Sequence, residues 1–127
     1  MSLIDIARSD ELGAGRSTEG IIQKKAFESG NLIFSRSQVL SGVVPGWHHH
    51  GAYHLYGAIV SGRLQLESGI EGKKKADLSP GDFFRVPPNL VHRDINPNMD
   101  HEPFVVNILF GTGPPVISVD SPTGEKR

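Results

Sequence analysis

The sequence predicts an all-β domain of short antiparallel strands, either a sandwich, a jelly roll or a small barrel. Three observations carry this. Apolar residues never recur at three-to-four spacing over three turns, so no long helix is expected. Short β-rich runs recur instead at close intervals. Fifteen glycines and 9 prolines in 127 residues are more chain-breakers than a helical bundle tolerates, and they suit strands joined by turns. The length fits one domain over 1–127, with a core of about 20–110 between an N-terminal arm, 1–19, and a C-terminal arm, 111–127.

The strands follow in order. Residues 1–20 mix Ile4, Ile6 and Leu12 with charges and glycines and hold at most one short strand. Ile21–Phe27 is closed by Ser29-Gly30-Asn31, and Leu32–Val44 by Pro45-Gly46. Tyr53–Val60 runs into the tight turn Ser61-Gly62, and Arg63–Ser68 returns from it. A polar turn, Gly69–Lys73, leads to a short exposed strand, Lys74–Leu78, which Ser79-Pro80-Gly81-Asp82 terminates. Phe83–Val86, Val91–Asn96 and Phe104–Phe110 complete the set. Beyond Gly111, the prolines around Val116–Val119 predict extended chain, either an edge strand or a subunit arm.

Composition removes several classes of function. Without cysteine there is no disulfide framework, thiolate nucleophile, Fe–S cluster or cysteine zinc site. Thirteen basic against 14 acidic side chains give a net charge of −1, so no nucleic-acid partner is expected, and Lys73-Lys74-Lys75 is read as a solvated strand edge. No apolar run approaches the roughly 20 residues that span a bilayer, and no membrane partner is expected. No basic segment followed by an apolar stretch opens the chain. A cytoplasmic location is the resulting expectation.

The chemistry concentrates in histidines. Four of the six, His48, His49, His50 and His54, fall within seven residues. On a strand, His48 and His50 share one face and His49 takes the other. His54 keeps their parity unless Gly51 interrupts the strand. Imidazole is the commonest metal ligand, and several on one buried face are costly without a cation to share. An exposed loop is the alternative reading of the cluster.

A second pattern, Gly81-x5-Pro87-x-Asn89-x2-His92-x3-Asn96, lies further along the chain. With Gly42-x5-His48-x-His50, position 54 and Gly62, it resembles the two motifs of the cupin superfamily. Glu is expected where His54 stands, Gly62 falls one residue late, and Asn89 replaces a glycine. That last exchange is mild, because Asn tolerates positive φ best among the other residues. The resemblance covers roughly residues 30–110 and implies a cupin-type double-stranded β-helix, a jelly-roll barrel. It further implies that His48, His50 and His92 bind a metal inside the barrel. His54 is then a fourth ligand, as in four-histidine cupins, or lines the pocket beside a three-histidine site. A homodimer with arms crossing between subunits is implied as well, for which Ile4, Ile6 and Val116–Val119 are suited.

Four imidazoles would leave a divalent ion its full charge, making it a strong Lewis acid that attracts enolates, carboxylates or hydroxide. Nitrogen ligation suits Zn, Cu, Ni and Fe, and the resemblance adds Mn. The expected cofactor is one such divalent transition metal per chain. An octahedral ion keeps two positions open, whereas a tetrahedral one is closed by four ligands and becomes structural. The expected function is a metal-dependent, dioxygenase-like enzyme acting on a small anionic or enolisable molecule. The alternatives are a sugar-acid isomerase or lyase and a non-catalytic protein that holds a metal and a small ligand. Arg36, Gln38 and Tyr56 are the pocket candidates: Phe34, Arg36 and Gln38 share a strand face, and Arg36 could clamp a carboxylate. An exposed arginine is its alternative. Tyr53, Tyr56 and Trp47 otherwise read as core packing, and Phe83, Phe84 and Val86 as barrel filling. Asp94 shares the parity of His92 and either orients a histidine or lies at the surface, while His49 and His101 should face away.

Overall fold

A computed structural model describes residues 3–15, 18, 20–43, 46–98 and 101–122. Val44 and Pro45, which close the second predicted strand, and the arm ends at 1–2 and 123–127 lie outside the described residues. Eleven strands are present among the described residues: β1 (Gly13–Ala14), β2 (Ile21–Ser29), β3 (Leu32–Val39), β4 (Trp47–His49), β5 (His54–Ser61), β6 (Leu64–Ser68), β7 (Lys74–Leu78), β8 (Phe83–Val86), β9 (His92–Ile95), β10 (Phe104–Phe110) and β11 (Ile117–Val119). The only helical turn among them is a 3₁₀ turn at Ile70–Gly72, inside the predicted polar turn. No described helix is long and apolar enough to cross a membrane.

The strands form two antiparallel sheets, ordered β1-β2-β3-β10-β5-β8 and β11-β4-β9-β6-β7. Each sheet alternates inward and outward side chains, and this alternation decides what reaches the interior. On β10, Val105, Asn107 and Leu109 are buried; on β3, Ser35, Ser37 and Val39 are. The interior holds two apolar clusters. Ile21, Val39, Ile59, Leu64 and Val105 form one, Tyr53, Leu55, Val86 and Leu109 the other, and Phe84 packs against both. Gly57 makes room for that ring: it lies opposite Phe84 across the β5–β8 pair, and a Cβ there would overlap the aromatic carbons.

Two expectations are corrected here, and one pair of alternatives is decided. Phe83 is 82% exposed, so only Phe84 and Val86 fill the barrel; neighbours on one strand cannot share a face. Tyr56 is exposed on the outer face rather than packed in the core. Of the two readings of the C-terminal tail, the structure shows the edge strand: β11 pairs with β4 of its own chain, Ile117 opposite His49 and Val119 opposite Trp47.

Outside the small sheet, a charged ladder ties three strands together. Glu67 on β6 accepts hydrogen bonds or ion pairs from Arg93 on β9 (2.7 Å) and Lys75 on β7 (3.2 Å). The Arg93 guanidinium also covers the Trp47 ring, 4.3 Å from its centroid, and so reaches β4.

Candidate metal centre

The site grows from two turns that dock on one another. After His50 the chain turns through Gly51, whose φ of +56° suits glycine, and the Tyr53 amide closes the turn on the His50 carbonyl at 3.0 Å. The second motif turns at Asn89, whose φ of +63° is the conformation its glycine substitute must adopt. The Asn89 amide then donates to the Gly51 carbonyl at 2.9 Å, joining the motifs. Across the β4–β9 pair, His48 stands opposite His92.

The result is a buried cluster of His48, His50 and His92, 3%, 6% and 4% exposed. Ring centroids are 4.4 Å apart for His48 and His92, and 5.1 Å for His50 with each of the others. One ligand atom from each residue lies within 4.8 Å of the other two. Each Nδ1 meets a backbone carbonyl: His48 that of Gly46 (3.2 Å), His50 that of Pro115 (2.9 Å) and His92 that of Leu90 (3.0 Å). A carbonyl only accepts, so each Nδ1 carries the proton and each Nε2 keeps its lone pair. Burial, and then the neighbouring imidazoles, lower the pKa of His50 and of His92 to about 3, so both rings are neutral at pH 7. Three imidazoles with converging ligand atoms could hold a divalent transition ion, and the donor set fits one.

Asp94 borders this cluster on β9. Its Oδ1 lies 3.7 Å from Nε2 of His92, is sealed from solvent and has no hydrogen-bond partner among the described residues. Burial holds this carboxyl above the usual range, against the opposing pull of His48 and His50. The sequence offered Asp94 either as an acceptor that orients a histidine or as a surface residue. The Leu90 carbonyl orients His92, and Asp94 faces the opposite nitrogen.

The triad opens on a cavity of about 30 Å³, also lined by Gln23, Ser37, Leu55, Phe84 and Asn107. Across it, the inner face of the large sheet is polar: Asn107 donates to Ser37 at 2.7 Å and Gln23 to Ser35 at 3.1 Å. A second cavity, about 250 Å³, lies on the other side of Phe84 and His92, between β7 and β8, with Lys74, Lys75 and Arg85 in its walls.

The remaining predicted site residues lie elsewhere. The Gly51 turn ends β4, and β5 restarts with its parity reset: Leu55, Gly57 and Ile59 face inward, His54 and Tyr56 outward. His54 stacks on Tyr56 (6.5 Å, 15°), and its Nδ1 accepts from Arg85 Nη2 at 2.9 Å. It is therefore not brought to the triad, neither as a fourth ligand nor as pocket lining. Arg36 and Gln38 take the outer face of β3 because Ser35, Ser37 and Val39 take the inner one. Arg36 covers the Phe104 ring at 5.2 Å, and Gln38 donates to Glu102 at 2.7 Å. Sequence reasoning missed Gln23, Ser37 and Asn107. Asn107 carried a signal, being the single polar residue in the apolar run Val105–Phe110.

Fold and site together define a double-stranded β-helix barrel with an interior histidine triad. The cupin-domain family matches residues 36–106, and the chain belongs to that family. No curated protein matches it by sequence. Among solved structures it is similar to KdgF from Halomonas sp., at 22% identity and TM-score 0.68, over 86% of this chain and 96% of that one. The polyketide cyclase RemF from Streptomyces resistomycificus is 13% identical, with TM-score 0.75 over 95% and 91%. An oxalate oxidase in complex with glycolate is 18% identical, with TM-score 0.64 over 83% of this chain and 59% of that one. At these identities the likeness is one of fold.

Proposed function

We propose that the chain is a metal-dependent, dioxygenase-like enzyme that holds one divalent ion of Fe, Mn, Zn, Ni or Cu and acts on a small anionic or enolisable organic molecule. One observation carries the reading: three buried imidazoles, each fixed by a backbone carbonyl, turn their lone pairs toward one another. When bound, the ion would supply Lewis-acid polarisation of oxygen atoms placed on it. The protein contributes the rest. His48, His50 and His92 hold the ion, Ser37 and Asn107 face it with polar atoms, and Leu55 and Phe84 keep bulk water away. Similarity to an oxalate oxidase solved with a substrate analogue, glycolate, supports small oxygen-bearing ligands.

Purified protein should carry close to one metal per chain, and His92→Ala should lose it together with part of its thermal stability. Oxygen uptake is then screened with diketones, catechols and flavonols after loading each metal. Metal-free protein that resists reconstitution overturns the reading. Turnover without oxygen uptake would replace oxidation by a non-redox reaction, a reading that the similarity to a polyketide cyclase favours. The homodimer belongs to the same proposal. Exposed Tyr56, Val60, Phe83 and Phe110 and the apolar Ile4 and Ile6 support it, and sedimentation at twice 13.8 kDa tests it.

A further inference from the structure

We propose that Asp94 supplies an anionic ligand of this centre, so that the cation is held by three imidazoles and a carboxylate from β9 rather than by four imidazoles. The inference rests on the metal reading above and deepens it. Nδ1 of His92 is engaged by the Leu90 carbonyl, so the nitrogen 3.7 Å from Asp94 Oδ1 is the one with the lone pair. Two electron-rich atoms thus face each other, one of them a sealed carboxyl oxygen without a hydrogen-bond partner among the described residues. A shared cation turns this repulsion into two bonds. The spacing suits it: donors about 2.1 Å from one ion stand about 3 Å apart at right angles and about 4.2 Å apart when opposite.

Charge points the same way. Position 54, where the family motif expects a carboxylate, holds a histidine that faces outward and serves Arg85. Among the described residues lining the triad cavity, Asp94 is the only acid. One carboxylate lowers the charge of a divalent site from +2 to +1 and adds a hard oxygen donor. That broadens the acceptable ions from those that favour nitrogen to include Mn²⁺.

The test uses the full chain, stripped of metal by chelation and titrated calorimetrically with Mn²⁺ and with Zn²⁺. Asp94→Asn should weaken Mn²⁺ binding at least tenfold and Zn²⁺ binding less, while His54→Ala stays within twofold of wild type for both. The metal-free Asp94→Asn protein should melt no lower than wild type, because its amide can donate where the carboxyl oxygen has no partner among the described residues, yet gain less from added Mn²⁺. A residue that serves packing alone would move both melting temperatures in the same direction. Asp94→Ser is measured alongside, so that misfolding of one variant leaves the other to decide. Equal Mn²⁺ affinity in wild type and either folded Asp94 variant overturns this inference and leaves the triad reading standing. A wild type that binds neither ion overturns both.

Discussion

Metal-free protein should lose stability steeply as pH falls from 7 to 5. His50 and His92 titrate near 3 in the fold because burial disfavours their charged forms, against 6.5 for an ordinary histidine. Between those values the unfolded chain binds protons that the folded chain refuses. Their contribution is therefore complete above about pH 6.5 and declines as pH drops toward 3. Going from pH 7 to pH 5, each ring costs about 2 kcal/mol, or about 4 kcal/mol for the pair. That is a large part of the roughly 5–15 kcal/mol that a domain of this size commands. Asp94 acts in the opposite sense: burial raises its carboxyl, so the fold favours the protonated form there more than the unfolded chain does. Urea unfolding at both pH values, on chelator-treated protein, measures the difference. A metal-free protein equally stable at pH 5 and pH 7 would refute the argument, since the rings would then not be buried in their neutral form.

Two further perturbations probe the frame around the site. Gly57→Ala places a methyl group into the Phe84 ring and should cost about 1–3 kcal/mol by overpacking, read as a lower urea midpoint at unchanged slope. Glu67→Gln removes the acid between Arg93 and Lys75. Burial pushes that carboxyl up, but hydrogen bonds from the two cations outweigh it and hold the group below the usual range. The variant should lose about 1–3 kcal/mol at pH 7. The gap should close on acidification through the depressed pKa, because the wild-type contribution exists only while Glu67 is ionised.

Most strands were legible because their boundaries are local. Lys74–Leu78, Phe83–Val86 and Phe104–Phe110 run between the residues predicted, each set off by turn signals from Gly, Pro or Asn. The triad was legible for a related reason. Strand parity alone pairs His48 with His50, and the second motif supplies His92. The outward-facing residues were misread where parity had no anchor. On β3, one reading made Arg36 and Gln38 pocket lining and the other left Arg36 exposed, and the interior beneath the triad admits Ser35 and Ser37 instead. Val39, the apolar residue in the same alternating set as those serines, would have fixed the choice. At His54 the counting itself failed. A turn with positive φ at Gly51 breaks the alternation between positions 50 and 54, so their shared parity says nothing about a shared face.

What fixes the chemistry of the triad is the least legible part. Gly46 and Leu90 each precede their histidine by two residues, so the bonds to His48 and His92 are local consequences of a chain entering a strand. His50 depends on the carbonyl of Pro115, 65 residues away, delivered by the segment that enters β11. Proline lacks an amide hydrogen but keeps its carbonyl, so Pro114-Pro115 stiffens the chain there while leaving that acceptor available. Val116 follows into the cavity wall, and β11 then pairs with the strand that carries His48 and His49. A tail that reads in the sequence as an edge strand or a subunit arm is thus the part of the barrel that sets the tautomer of one candidate ligand. Its two functions, closing the sheet edge and orienting His50, follow from the single β4–β11 pairing.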